Sequence, residues 1–175
     1  MKLVRGLMLA AFVIFASTST SAQGAPTGDS SWVGSPDFWI AVAANAAGMG
    51  LFVARVHLPS AAPMFGYATQ AIGVPAAVCG VIDLVGGDAD IRTVGLLAYS
   101  AWALGAAFVD HVLNVNYREP VRPGILVPYV VTYYLGIGVL SASQLENGIV
   151  PWAIAGGTCL LTVAASFYAR ARGAD

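Results

Sequence analysis

The chain has 175 residues, of which 58% are hydrophobic and only 10% are charged, and its formal net charge is −1. With a mean hydropathy of +0.74, this composition excludes an ordinary soluble domain, which carries roughly a quarter of its residues as charged side chains. It predicts an integral membrane protein in contact with the lipid bilayer. The near-neutral charge and the lack of a basic tract exclude nucleic acid as a partner.

The first 22 residues have the pattern of a signal peptide. Lys2 and Arg5 precede an apolar run at residues 7–16, and small polar residues then lead to Ala22. Because the apolar run is only about half of the twenty residues that a bilayer requires, cleavage near Ala22 is favoured over retention as a membrane helix. Residues 23–37 are predicted to form a polar lead on the outer side of the membrane.

Five apolar segments follow, and each is close to the length that crosses a bilayer. They cover residues 38–56, 61–85, 91–113, 125–142 and 149–169. The sequence therefore predicts an all-α, polytopic membrane helix bundle, with five transmembrane helices within residues 38–172 after an N-terminal signal peptide.

The charged residues at the ends of these segments divide by sign. Basic residues at one set of ends are Arg55, Arg118, Arg122, Arg170 and Arg172, and acidic residues at the opposite ends are Asp29, Asp37, Asp83, Asp88, Asp90 and Glu146. Only Arg92 lies among the acidic residues. The positive-inside rule then predicts an extracytoplasmic N-terminus and a cytoplasmic C-terminus in an inner or plasma membrane.

The most polar stretch within the apolar part of the chain runs from residue 108 to residue 128. A carboxylate such as Asp110 costs about 2.5 to 3.5 kcal/mol at the centre of a membrane helix, so it is expected to face the bundle and to find partners there. Helical periodicity predicts a polar pocket that opens toward the cytoplasm. Its candidate lining residues are Arg55, Asp110, His111, Asn114, Tyr129 and Tyr133.

Three interpretations of this pocket stay open. One is a proton or ion path, which would need polar groups that continue to the outer side of the membrane. Asp110 is expected to pair with Arg55 or Arg118 and to help bind a ligand or substrate. Alternatively, Asp110, Asn114 and an arginine tie helix ends together, while the tyrosines serve as interfacial anchors.

The loop between the third and fourth segments carries Arg118 and Arg122. These side chains are candidates to contact an anionic lipid head group or a carboxylate of a partner protein. Their simpler role is to enforce topology.

The remaining chemistry-bearing residues predict neither a metal nor a cofactor. His57 and His111 are the only histidines, and neither has a second ligand at metal-binding spacing. No credible nucleophile elbow, phosphate loop or dinucleotide fingerprint occurs. Cys79 and Cys159 both lie in apolar segments and are interpreted as packing residues.

Three classes of function fit these features. The favoured class is a non-catalytic accessory or assembly component of a membrane complex, which associates with another membrane protein or with further copies of itself. The second is an intramembrane enzyme or binding protein for a lipid or isoprenoid-like molecule, which uses the pocket around Asp110. The third is an oligomeric transporter or channel, although an odd number of spans does not divide into two equal repeats.

Overall fold

A computed structural model describes residues 30–113 and 122–174. Five long helices make up most of this part of the chain: α1 (Pro36–His57), α2 (Ala62–Gly86), α3 (Ile91–Ala107), α4 (Pro123–Ala142) and α5 (Ile149–Ala171). Short helical segments at Ser30–Gly34 and Ser143–Asn147 have 3-10 geometry, and Phe108–Val112 continues α3 as a π-helical turn. The signal peptide predicted at residues 1–22 lies outside the described residues.

All five helices are long and apolar enough to cross a bilayer, counting α3 together with its π-helical turn and α4 together with its 3-10 segment. Large apolar side chains stay exposed on their outer surfaces, for example Val85 of α2 and Leu161 of α5. An exposed apolar surface along every helix is what lipid requires and what water does not tolerate. The chain is a multi-pass membrane protein, and the predicted five-helix bundle is confirmed.

The helices form a ring in which each one packs against its neighbours in the sequence, and α5 closes the ring against α1. Short connections join α1 to α2, α2 to α3 and α4 to α5, so these neighbours run in opposite directions. A contact between α1 and α4 crosses the middle of the ring. This arrangement brings the starts of α1, α3 and α5 to one end of the bundle, called the acidic end below, and their finishes to the other, called the basic end.

Helix boundaries follow local chemistry. Pro36 and Pro123 occupy the first turns of α1 and α4, where a missing backbone N–H removes no helical hydrogen bond. Asp90 caps α3, because its carboxylate accepts the backbone N–H groups of Arg92 and Thr93. The chain leaves α2 through Gly87, which has a φ of 82° that favours glycine.

Two glycines let the backbones of α3 and α4 touch. A Cβ on Gly95 would lie 2.8 Å from the Leu140 Cα, and a Cβ on Gly136 would lie 3.0 Å from the Tyr99 Cα. Any side chain at either position would push the two helices apart. In lipid, such close backbone contact is a principal source of attraction between helices.

Candidate functional site

The π-helical turn at Phe108–Val112 contains both Asp110 and His111. Its defining hydrogen bond runs from the Leu113 N–H to the Phe108 carbonyl over 2.9 Å, which places one extra residue in the turn. Turns of this kind are rare and often occur at functional sites, because the extra residue re-aims the side chains beside it.

Gln70 of α2 joins these two residues across the α2–α3 interface. Its side-chain Nε2 donates to Asp110 Oδ2 over 2.9 Å, and its Oε1 lies 2.8 Å from His111 Nε2. We call Tyr67, Gln70, Asp110 and His111 the Gln70 cluster. Consecutive residues on a helix point in different directions and do not readily pair with each other, so it is the amide that brings Asp110 and His111 into one hydrogen-bonded unit.

The hydrogen-bonding roles within this unit follow from its chemistry. Because the Gln70 Nε2 group donates to Asp110, the carbonyl oxygen of the same amide faces His111 and can only accept. In this contact His111 Nε2 is therefore the donor. Tyr67 covers the imidazole, with the two ring centroids 5.2 Å apart.

The other predicted pocket residues in the described part of the chain gather around aromatic rings. Tyr129 and Tyr133 both contact Trp102, with ring centroids 5.8 and 4.6 Å from it. Phe52 of α1 lies 6.4 Å from the Tyr133 ring and carries the Arg55 guanidinium over its face at 5.7 Å. The predicted site residues on α1 and α4 are thus linked through Phe52 and Tyr133.

Three of the predicted site residues lie in or beside the loop before α4. Arg122 is exposed immediately before α4 begins. Asn114 and Arg118 lie outside the described residues. The pairing of Asp110 with Arg55 or Arg118 stays a prediction.

A second polar cluster lies inside the bundle among α1, α4 and α5. Asn45 is 1% exposed, and its Nδ2 donates to the Ser141 hydroxyl at 2.9 Å and to the Ala155 carbonyl at 3.3 Å. The buried Thr162 hydroxyl donates to the Asn45 backbone carbonyl over 2.7 Å. Thr158 accepts a further, longer bond of 3.4 Å from the Asn45 amide. We call Asn45, Ser141, Thr158 and Thr162 the Asn45 cluster.

The acidic end holds a third polar group. Asp37, which is 8% exposed at the start of α1, accepts hydrogen bonds from Gln144 Nε2 at 3.2 Å and from Asn147 Nδ2 at 3.0 Å. These bonds tie the first turn of α1 to the segment between α4 and α5. Gln144 and Asn147 were not among the predicted site residues. Gln144 lies one helical turn after the buried Leu140, and this spacing is the signal that could have identified it as an inward-facing residue.

Arg92 is the one basic residue that the charge pattern placed among acidic residues, and the structure accounts for it. Its Nε lies 2.7 Å from Asp90 Oδ2 and 3.2 Å from Glu146 Oε2. Burial raises the pKa of the Asp90 carboxyl, but hydrogen bonds from Arg92 and Thr93, together with the Arg92 charge, outweigh it and leave that pKa below 3.8. Arg92 therefore links the start of α3 to the α4–α5 connection.

Comparison with protein-family models, curated proteins and solved structures gave no match to this chain. The fold and the three polar groups define the class of protein: a multi-pass helical membrane protein whose helices are joined by polar side chains, mostly buried in the Asn45 cluster and partly exposed in the Gln70 cluster.

Proposed function

We propose that this protein is a non-catalytic accessory or assembly component of a membrane complex, with its N-terminus outside and its C-terminus in the cytoplasm. The observation that supports this function is that two groups of interior polar side chains form hydrogen bonds between helices. The Asn45 amide and the Thr162 hydroxyl join three helices, and Asp37 joins α1 to the α4–α5 connection. Such bonds fix the helices and hold the outer surface in one shape for a partner to contact.

The orientation rests on charge. The basic end carries Arg55, Arg170 and Arg172, where α1 and α5 finish. Asp37, Asp90 and Glu146 lie at the acidic end. Cytoplasmic ends of membrane helices are enriched in arginine and lysine, which favours a cytoplasmic basic end.

Helix α2 offers the most open surface to a partner. Only 22% of the residues in the most apolar 18-residue stretch of α2 are buried, whereas 33–44% are buried in the corresponding stretches of the other four helices. Its exposed side chains are aliphatic over most of its length, including Val74, Val78 and Val85. A helix of a neighbouring membrane protein would pack on such a face through shape rather than through the hydrophobic effect, which lipid already satisfies.

The test is extraction of the tagged full-length protein from its native membrane in lipid nanodiscs, followed by mass spectrometry of co-purifying proteins and lipids. We expect one protein partner in a fixed stoichiometry. Val78→Trp enlarges a half-exposed side chain on α2 and should reduce recovery of that partner at least fivefold. Leu161→Trp makes the same kind of change on α5 and is the matched control. The absence of any stoichiometric partner, or equal losses in the two variants, would contradict the proposed role.

The Gln70 cluster favours a second candidate function, namely binding or turnover of a lipid or isoprenoid-like molecule. The His111 imidazole and the Asp110 carboxylate lie in a partly exposed π-helical turn near one end of the bundle, and the Gln70 amide of α2 contacts both of them. Such a pair is suited to proton transfer or to binding a polar head group.

Asp110→Asn separates this second function from the first, because it removes a charge and a base while preserving size. If the cluster binds a head group, one lipid class enriched with the parent protein should be lost at least fivefold from the variant, while protein partners remain. Asp83→Asn changes a carboxylate of similar exposure near the acidic end and serves as the control. Unchanged lipid content in Asp110→Asn would leave the accessory function alone.

A further inference from the structure

Two polar atoms inside the bundle have no hydrogen-bond partner among the described residues: Asn45 Oδ1 of α1 and the Tyr133 hydroxyl of α4. Asn45 is 1% exposed and Tyr133 is 6% exposed. A buried polar group without a partner loses its hydration with no compensation, and such groups are rare in folded proteins. Each of these two atoms therefore requires a partner that the side chains around it do not supply.

The orientation of the Asn45 amide follows from its neighbours. Its Nδ2 group lies 3.3 Å from the Ala155 carbonyl oxygen, which can only accept a hydrogen bond, so this end of the amide must be the donor. The same Nδ2 group donates to the Ser141 hydroxyl. Asn45 Oδ1 is therefore the atom that needs a donor.

The Tyr133 hydroxyl lies against the next turn of α1. A Cβ on Gly48 would overlap the Tyr133 hydroxyl oxygen, so this oxygen occupies the space of a side chain at position 48. Gly48 follows Asn45 by three residues, and residues at this spacing share one face of a helix. Thr162 of α5 lies beside both, because its methyl carbon is 3.0 Å from the same Cβ position and its hydroxyl donates to the Asn45 carbonyl. The two unpartnered atoms thus belong to one junction of α1, α4 and α5.

We propose that one buried water molecule links Asn45 Oδ1 to the Tyr133 hydroxyl. The water donates one hydrogen bond to Oδ1 and accepts one from the Tyr133 O–H. Its second hydrogen is directed to the Thr162 hydroxyl oxygen, which still has an acceptor site while it donates to the Asn45 carbonyl. Two hydrogen bonds of about 2.8 Å that meet at a water span about 4.5 Å, and three residues of an α-helix also rise about 4.5 Å.

The packing around Tyr133 limits this site to a small molecule. Its ring lies between Trp102 and Phe52, with centroids 4.6 and 6.4 Å away, and its hydroxyl meets the α1 backbone at Gly48. Water is small enough and is able to donate and accept at once, as buried waters do in other proteins. It extends the Asn45 cluster by one turn toward the basic end and connects it to Tyr133, which the sequence predicted as a pocket residue.

Equilibrium unfolding of the full-length protein in mixed detergent micelles tests this link, because Tyr133→Phe removes only the hydroxyl. If the hydroxyl binds a water, its loss should raise the unfolding equilibrium constant about fivefold. If the hydroxyl has no partner, its removal should leave the constant unchanged or lower it, since the penalty for an unpaired buried group disappears. Tyr134→Phe is the matched control, because the hydroxyl of this neighbouring residue bonds directly to Ser166 over 2.6 Å.

The same two substitutions in an Asn45→Leu background show whether Asn45 and Tyr133 share one water. Without Oδ1 the water loses its acceptor, so Tyr133→Phe should then change the unfolding constant less than about twofold. Tyr134→Phe should have the same effect in both backgrounds. An undiminished effect of Tyr133→Phe in the Asn45→Leu protein would mean that the two atoms have separate partners and would overturn the assignment.

Water-edited solid-state NMR in lipid bilayers detects the water directly and needs no Asn45 variant to fold. In protein labelled with ¹³C-asparagine, magnetisation from water should reach the side-chain carbonyl carbon of Asn45. Tyr133→Phe should reduce this signal about threefold, because the water loses one of its partners. The absence of this signal in the parent protein, or equal unfolding constants of the parent and Tyr133→Phe, would also overturn the assignment.

Discussion

The two sides of α4 are fastened to their neighbours by different means. On one side the Leu140 backbone touches Gly95 of α3, and no polar side chain is needed. On the other side the Ser141 hydroxyl accepts a hydrogen bond from Asn45 of α1. Two adjacent residues of α4, Leu140 and Ser141, therefore make two different kinds of contact: a backbone contact with α3 and a side-chain hydrogen bond with α1.

The difference reflects the solvent. Lipid tails are as apolar as leucine, so burying leucine between membrane helices brings little net gain. Attraction must come either from close van der Waals contact between backbones or from hydrogen bonds that lipid cannot replace. Interface α3–α4 uses the first, and the Asn45 cluster uses the second. Added atoms disrupt the backbone contact between α3 and α4, whereas loss of a polar group disrupts the Asn45 cluster.

The largest effect is expected from Gly95→Leu. Its side chain would meet the α4 backbone, which cannot move aside as a flexible side chain can, so the free energy of unfolding should fall by about 3 kcal/mol. Equilibrium unfolding in mixed detergent micelles measures this change. Gly105→Leu is the control, since a Cβ there meets nothing within 4 Å. Equal stabilities of the two variants would show that backbone contact does not fasten α3 to α4.

A smaller effect is expected from Asn45→Leu, which is close in volume to the parent but removes every donor of the Asn45 amide. Ser141 then loses its partner on α1, so the free energy of unfolding should fall by about 1.5 kcal/mol. The same unfolding measurement applies. Thr132→Val removes an exposed hydroxyl that bonds only to carbonyls of its own helix and should change stability little. If Asn45→Leu had the same free energy of unfolding as the parent protein, packing alone would join α1 to α4 and α5.

The smallest effect concerns the charge of Asp90. Because its pKa in the folded protein lies below 3.8, its ionised form contributes stability that is present above about pH 3.8 and is lost as the pH falls through the lowered value. Asp90→Asn keeps a capping oxygen but removes this charge. The parent should be about 0.5 kcal/mol more stable than the variant at pH 6, and the difference should narrow toward pH 3. A constant difference across this range would exclude the charge as its source.

Much of the fold could be predicted because the length of an apolar segment can be counted in the sequence without any knowledge of how the helices pack. The composition and five segments near twenty residues were enough for the number of helices. Asp110 and His111 were also identified, since polar groups in an apolar chain are conspicuous. Gln70 lies 40 positions before Asp110 in the sequence, and only packing between α2 and α3 reveals that its amide joins the two. No pattern of residue types at Phe108–Val112 predicts the π-helical turn that reorients Asp110 and His111.

The Asn45 cluster shows the same limit inside the bundle. Helical periodicity could not choose the partners of Asn45, because one face of a helix meets several neighbouring helices. Ser141, Thr158 and Thr162 are ordinary residues in membrane helices, and their importance comes from the convergence of α4 and α5 on one side chain of α1.

The sequence by itself determined that the described residues contain five helices long and apolar enough to cross a membrane, because the cost of placing charge in lipid acts on each segment separately. Only the tertiary structure decided which polar residues meet. Hydrogen bonds act over about 3 Å, and the distances between side chains on different helices depend on how those helices pack. The bonds that join Asn45 to Ser141, Asp37 to Gln144 and Gln70 to Asp110 were therefore set by the packing of the whole bundle.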